Sequence, residues 1–399
     1  MPWGEIRAAA TDEAARAHTF LEEIFQPLQR AEQRRWARTY LRGLLHVSGR
    51  KTPRRMARAE ALPPAAAQSL HQFINASPWD WEPVRRRLAS QVAASTTPYA
   101  WTVAELTIPK RGEHSVGVHR RLDPATGLIV NCQRALGLFL AAGAHCYPLD
   151  WSLVLDGAWN RDPRRRLRAR VPETETARSD GSHVLELAGG VVTRPRLPGV
   201  PWILDLTRCD DASRVLDGLA RLRLDVVCEV GRGQVVRTGN RSPTVITVGE
   251  LMEGRYARQP HAVPRQAAAG PSRALVHTYA GTVRLPRRGS SLDDAPAAYR
   301  VLRLPGPHGC RPDRYWITSL TDRSVEDVMT ALRGRVAVRT AVAALREHFG
   351  VLDFEGRSFP GWHHHMTLVS AAYAFRHLPR GSVLTPMTPE PAAPAGAAG

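Results

Sequence analysis

Asp205 closes the apolar run Trp202-Ile203-Leu204. An acid at the carboxyl end of a buried strand commonly faces a site in α/β sheets, although it can also be a plain strand-end cap. Basic segments recur along the chain. One holds Arg50, Lys51, Arg54 and Arg55, and a second holds Arg85 and Arg86. A third, RRRLRAR, starts with Arg164, Arg165 and Arg166 and contains no acid. Guanidinium forks match phosphate oxygens, so each is a phosphate-contacting segment or a solvated basic face. The run His363-His364-His365 invites a metal reading, yet three consecutive residues cannot share one face of a helix.

The whole-chain balance points the same way. Lys and Arg number 55 against 37 Asp and Glu, a formal charge of +18 with a pI near 10.8. Such an excess favours a polyanionic partner, usually nucleic acid. The 5 cysteines form no CxxC pair, so neither a zinc site nor a disulfide framework is suggested. No apolar run is long enough to span a membrane, and no charged leader precedes an apolar h-region. A soluble, cytoplasmic protein without membrane partners is expected.

The elements that must position these residues follow from periodicity. Residues 1–97 read as helices, with Asp80 a candidate cap. Residues 98–155 read as four strands: YAWTVAELTIP, HSVGVHRRL, LIVNCQRALGLFLAAG and CYPLDWSLVL. Residues 156–200 read as a loop-rich basic stretch, and 202–230 as strand, helix, strand. From 231 to 325 short strands and Arg-, Pro- and Gly-rich loops alternate, with 257–273 a flexible excursion. From Arg333 the spacing of Val336, Val338, Val342, Leu345 and Phe349 predicts a helix with these on its apolar face. Gly350 is its stop signal, and MTLVSAAYAF is a second apolar helical run. The Pro/Ala-rich tail, 379–399, is expected to be disordered.

Glu355-Gly356-Arg357-Ser358 and Gly361-Trp362-His363-His364-His365 stand unbroken, followed by Thr367 and Leu368. Together with YLRGLL, SPWD, HSVGV and NCQ in order, they make the chain resemble DDE-type insertion-sequence transposases of the insertion-sequence-701 type. The resemblance implies a mixed α/β, RNase H-like catalytic core (98–230 and 326–378). It further implies a helical N-terminal domain (1–97) that binds the transposon end, and a β-rich insertion (231–325). It also implies double-stranded DNA as partner, Mg²⁺ as cofactor and strand cleavage by three carboxylates. Two hard cations held by shared carboxylates clamp the attacking and leaving oxygens of a phosphodiester displacement. A homodimer is compatible with this picture.

Carried over position by position, the family's D-D-T-G-x-x-K falls on Ala104 to Lys110. The first acid is then Glu105, or Ala104 if the preceding Asp is the functional one. The second acid falls on Asp205, which with Glu105 is the candidate metal pair. The third, a glutamate in the family, falls on Arg339, and Arg335 matches a family arginine counted with the DNA contacts. The expected triad is Glu105, Asp205, Arg339, converging in one pocket. Three readings stay open: a DNA-binding transposase relative with lost cleavage, an active enzyme with a relocated third acid, or a repurposed basic nucleic-acid-binding module.

Overall fold

A computed structural model describes residues 16–122, 127–239, 244–254, 256, 258–267, 270–286, 297–306 and 312–379. The expected tail beyond 379 lies outside them. The chain opens with helices: α1 over 16–25, α2 (Ala31–His46), α3 (Pro53–Ala59), α4 (Ala65–Asn75) and α5 (Trp81–Ser95). Asp80 caps α5, its carboxylate accepting from the Glu82 N–H at 2.9 Å.

Strand β1 (Pro98–Pro109) is followed by β2 (His119–Leu122), β3 (Ile129–Ala142) and β4 (His145–Val154). β1, β3 and β4 lie adjacent and antiparallel. HSVGVHRRL is a strand only in its last residues. Gly117 turns left-handed at φ 71°, and a Cβ there would crowd the Leu153 side chain at 3.0 Å.

The stretch 156–200 is not loop-rich. It folds into α6 (Gly157–Arg161), α7 (Pro163–Ala169) and α8 (Asp180–Val192). Asp156, Asp162 and Ser179 cap their N-termini, and Pro163 occupies the first turn of α7, where its missing N–H costs nothing. Capping overrides the loop-like composition.

β5 (Trp202–Asp205), α9 (Ala212–Arg221) and β6 (Val226–Val230) come next, with β5 parallel to both β1 and β6. Then come β7 (Val235–Thr238), β8 (Thr244–Thr247), α10 (Val248–Glu253), β9 (Arg258–Ala267), β10 (Gly270–Tyr279), β11 (Val283–Arg284), β12 (Arg300–Leu304) and β13 (Arg314–Thr318). The main sheet runs β2-β3-β1-β5-β6-β13-β12-β10-β9, with β4 also on β3, and β11-β7-β8 form a separate small sheet. Four strands of 231–325 therefore extend the main sheet. The expected flexible excursion at 257–273 is instead the β9–β10 hairpin. Val263 and Val276 are buried in it, and β9 tolerates Pro260 and Pro264 because it is an edge strand.

After α11 (Val325–Ala331), α12 (Arg333–Glu347) packs on β1 and β4. α13 (Phe359–His377) takes in GWHHH as well as the apolar run, capped by Ser358. It is buried on every side, between the sheet and helices α2, α4 and α5. Most of its polar groups find individual partners, the Trp362 indole nitrogen and His363 Nε2 being exceptions among the described residues. His365 reaches the Tyr40 hydroxyl and the Gly350 carbonyl, both at 3.0 Å. A ring protonated on Nε2 donates to the carbonyl and accepts from Tyr40. His364 stacks on Trp79 at 3.9 Å, with its ring nitrogens 2.8 Å from the Ile74 and Trp79 carbonyls, to one of which the neutral ring donates. His363 receives a hydrogen bond from Arg85 at 3.0 Å. Arg85 itself is 1% exposed and also donates to Asp150 and Thr367, each at 2.8 Å.

Burial pushes His364 down to about 4 and His365 down to about 3. Below the unfolded value of about 6.5 the unfolded chain takes up protons that these folded histidines refuse. Stability present above pH 6.5 is thus lost as pH falls toward the folded values, by about 1.4 kcal/mol per unit per histidine. Thermal unfolding is expected to shift downward between pH 6.5 and 5, less steeply in His365→Gln. An unchanged midpoint across that window would contradict the neutral-histidine assignment.

Candidate active site

β1 and β5 share only the pairs Trp101↔Trp202 and Thr102↔Ile203. Beyond them β1 runs on beside β3, and a cavity of about 750 Å³ opens between β1, β5 and α12. β1 is where the sheet order turns from β3 on one side to β5 on the other. Ligand crevices of open α/β sheets occur at such switch points. Glu105, Asp205, Arg335 and Arg339 all line this cavity.

Asp205 ends β5. Its carboxylate accepts from the Thr207 N–H at 3.1 Å and the Thr207 hydroxyl at 2.6 Å, and pairs with Arg335 at 2.5 Å. Burial alone would raise its pKa. The Thr207 hydrogen bonds and the Arg335 guanidinium outweigh burial and hold it below the ordinary carboxylate value. Directly across the parallel ladder stands Glu229 of β6, 6% exposed. Arg314 grips it with two bonds of 2.8 and 2.7 Å, and Arg335 pairs with it from the other side. Both guanidiniums lie over the Trp316 ring, at 4.9 and 5.1 Å from its centroid. Two carboxylates and two guanidiniums thus form a linked quartet, Arg314–Glu229–Arg335–Asp205.

Arg339, one turn further along α12, is exposed and has no ion-pair partner among the described residues. The partner of Asp205 is Arg335. Glu105, though it lines the same cavity, is not part of this quartet. It pairs with Arg121 at 2.5 Å and Arg134 at 3.0 Å, and Arg134 continues to Asp180 at 2.6 Å. Burial would raise Glu105, but these two arginines lower it. Alternation along β1 puts residues 102 and 104 on one face and 105 on the other. Carrying the β1–β5 register past Thr102 brings Ala104, not Glu105, level with Asp205.

The donor set does not suit Mg²⁺. Asp205 and Glu229 already carry a guanidinium, Glu105 carries two, and a further cation stands at Arg339. At 4 Å and an effective dielectric of ~20, each unit of like charge costs about 4 kcal/mol. A divalent ion would meet twice that from one arginine. The histidine run supplies no alternative, since its rings are engaged in the core. Among the described residues no group of three His, Cys, Asp or Glu can hold a metal.

Two of the sequence-identified cations are withdrawn from the surface. Arg85 is the buried hub described above. Lys51 is 4% exposed, its ammonium on the Val47 carbonyl and its N–H on Asp353. Arg335 is taken up by the quartet. Arg165 lies 4.0 Å over the Trp159 ring and bonds the Glu113 and Val118 carbonyls, while Arg166 bonds the Pro172 and Glu175 carbonyls. Arg50 pairs with Glu355 at 3.3 Å but stays largely exposed. Arg54, Arg55, Arg86 and Arg164 face solvent.

Sequence reasoning missed Glu229 and Arg314. The signal was there: a lone acid inside the otherwise apolar strand VVCEV needs a buried counter-charge. Replacing Arg335 with Met should destabilise the chain by about 3 kcal/mol, because breaking a buried pair strands its acids. Arg339→Ala should stay within about 0.5 kcal/mol, as for an exposed residue without partners. Urea unfolding of the two variants measures the difference, and equal losses would contradict the quartet.

Residues 23–286, about two thirds of the chain, match a family model described as DDE superfamily endonuclease. The match includes Ala104, Glu105, Asp205 and Glu229 and ends before α12. No curated protein matches the sequence.

Proposed function

The chain belongs to the DDE superfamily endonuclease family, and from that premise we propose that it is a DNA-binding relative of the insertion-sequence-701-type transposases with lost Mg²⁺-dependent cleavage. The family typically uses a divalent metal. The observation that carries the loss is the Arg339 guanidinium, which lines the cavity where the family glutamate falls, beside acids already paired with arginines. It supplies internally the positive charge that a metal would bring, but it offers no open coordination site and activates no water. An arginine at this position also removes the third ligand.

DNA binding rests on the +18 charge and on the exposed arginines of the helical N-terminal segment and α7. The RNase H-like reading of the core is supported by three adjacent antiparallel strands at the start of the sheet. No helix among the described residues is long and apolar enough to cross a membrane.

Duplex DNA should bind with or without Mg²⁺, with log K falling against log salt by about 0.9 per phosphate neutralised. Arg54→Ala with Arg86→Ala should lower that slope. Supercoiled plasmid with Mg²⁺ or Mn²⁺ should not be nicked above background. Metal-dependent nicking by the unmodified chain would overturn the loss of cleavage, and a flat salt response would overturn the DNA contact.

A further inference from the structure

The charges lining the cavity are unequally matched. On the acidic side, Glu105 and Asp180 share Arg134, Glu105 also holds Arg121, and Asp205 holds Arg335. On the basic side, Arg208, Arg339 and Arg346 have no carboxylate within ion-pair distance among the described residues. Glu347 at the rim is exposed, and His348 lies 3.8 Å from it. The acids that would repel a phosphate are neutralised, while three cations that would attract one are free.

The placement of those cations is regular. Arg335, Arg339 and Arg346 all lie on the cavity side of α12, among Val338, Val342 and Ala343. Arg335 closes one end by its pairs to Asp205 and Glu229. Arg346 is anchored at the other end by one bond, 2.8 Å to the Thr107 carbonyl, and keeps its remaining N–H donors. Arg339 and Arg346 stand seven residues apart, about 10 Å along the axis at 1.5 Å per residue. Two forks at that separation address different phosphates of one strand. The cavity is bounded by the middle of β1, the end of β5 and the face of α12 that carries Arg339 and Arg346.

Building on the DNA-binding reading above, we propose that this cavity is a metal-independent clamp for a single nucleic-acid strand, in which Arg339 and Arg346 grip its phosphodiesters. Arg208, on the loop after β5, lines the same cavity and adds a third cation. The chemistry of an acidic metal cradle is thereby inverted: the strand is held by guanidinium forks and no bond is broken. Each fork offers two parallel N–H donors to a phosphate, a geometry an ammonium does not reproduce.

The test uses the full chain in EDTA and a short single-stranded oligothymidylate, followed by fluorescence anisotropy. Duplex binding is measured in parallel. Arg339→Ala with Arg346→Ala should weaken the short strand at least tenfold and lower its salt slope by about 1.4, at 0.7 per phosphate for single strands. The control, Arg237→Ala with Arg323→Ala, removes equal charge at exposed positions outside the cavity and the DNA-contact segments and should leave the short strand unchanged. Lys at both cavity positions should keep most of the slope but recover only part of the affinity. Equal losses in cavity and control variants would reduce the effect to bulk charge and overturn the clamp. So would short-strand binding that requires Mg²⁺, or no short-strand binding alongside normal duplex binding. Failure of duplex binding alone would overturn the functional reading and leave the clamp standing.

Discussion

Helix α13 has no solvent face, and that constraint organises the molecule. A helix buried on every side must find a partner for each polar side chain it carries, because an unmatched buried donor or acceptor costs on the order of 1–3 kcal/mol. α13 carries His363, His364, His365, Thr367 and Ser370 into that environment. The partners come from distant segments: Tyr40 from α2, the Ile74 carbonyl from α4, Arg85 from α5 and the Trp151 indole from β4. Apolar packing alone would let the N-terminal helices slide over the core. These polar matches pin them to one register, so the histidine run acts as a set of keys in the interior.

Arg85 shows how far this goes. A buried guanidinium is tolerable only when its donors are matched and its charge is met. Asp150 meets the charge at 2.8 Å, and Arg194 and Glu82 extend the network toward the surface. A cation in a basic sequence segment thus becomes the bolt between α5, β4 and α13. The same sequence property, a high arginine content, serves the core here and the surface at Arg54 or Arg86.

The cavity between β1, β5 and α12 obeys the same electrostatics with a different result. Two carboxylates on neighbouring strands cannot both stay ionised in a half-buried site without a cation. In this chain the cation is covalently part of α12. Arg335 and Arg314 hold Asp205 and Glu229 in place.

Much of this was legible in the chain. Apolar runs bounded by turn signals marked β1, β3 and β4, the strand–helix–strand of 202–230 and the two C-terminal helical runs, because buried elements carry apolar residues over their length. The acid at Asp205 and the cation at Arg339 were readable from their motifs, and both line the cavity. Other features were decided only in three dimensions. Composition made 156–200 look irregular, but caps at Asp162 and Ser179 made it helical. Prolines made 257–273 look mobile, but an edge position let them stand in a strand. Glu229 and Asp205 are 24 positions apart in sequence and become neighbours only through the β5–β6 register. Whether an arginine serves DNA, the core or a carboxylate depends on which partner the fold brings within about 3 Å, since Coulomb energy falls with distance and rises with desolvation. Sequence fixes the charge of Arg85, Arg335 and Arg339; only packing assigns them to the core, the quartet and the open cavity.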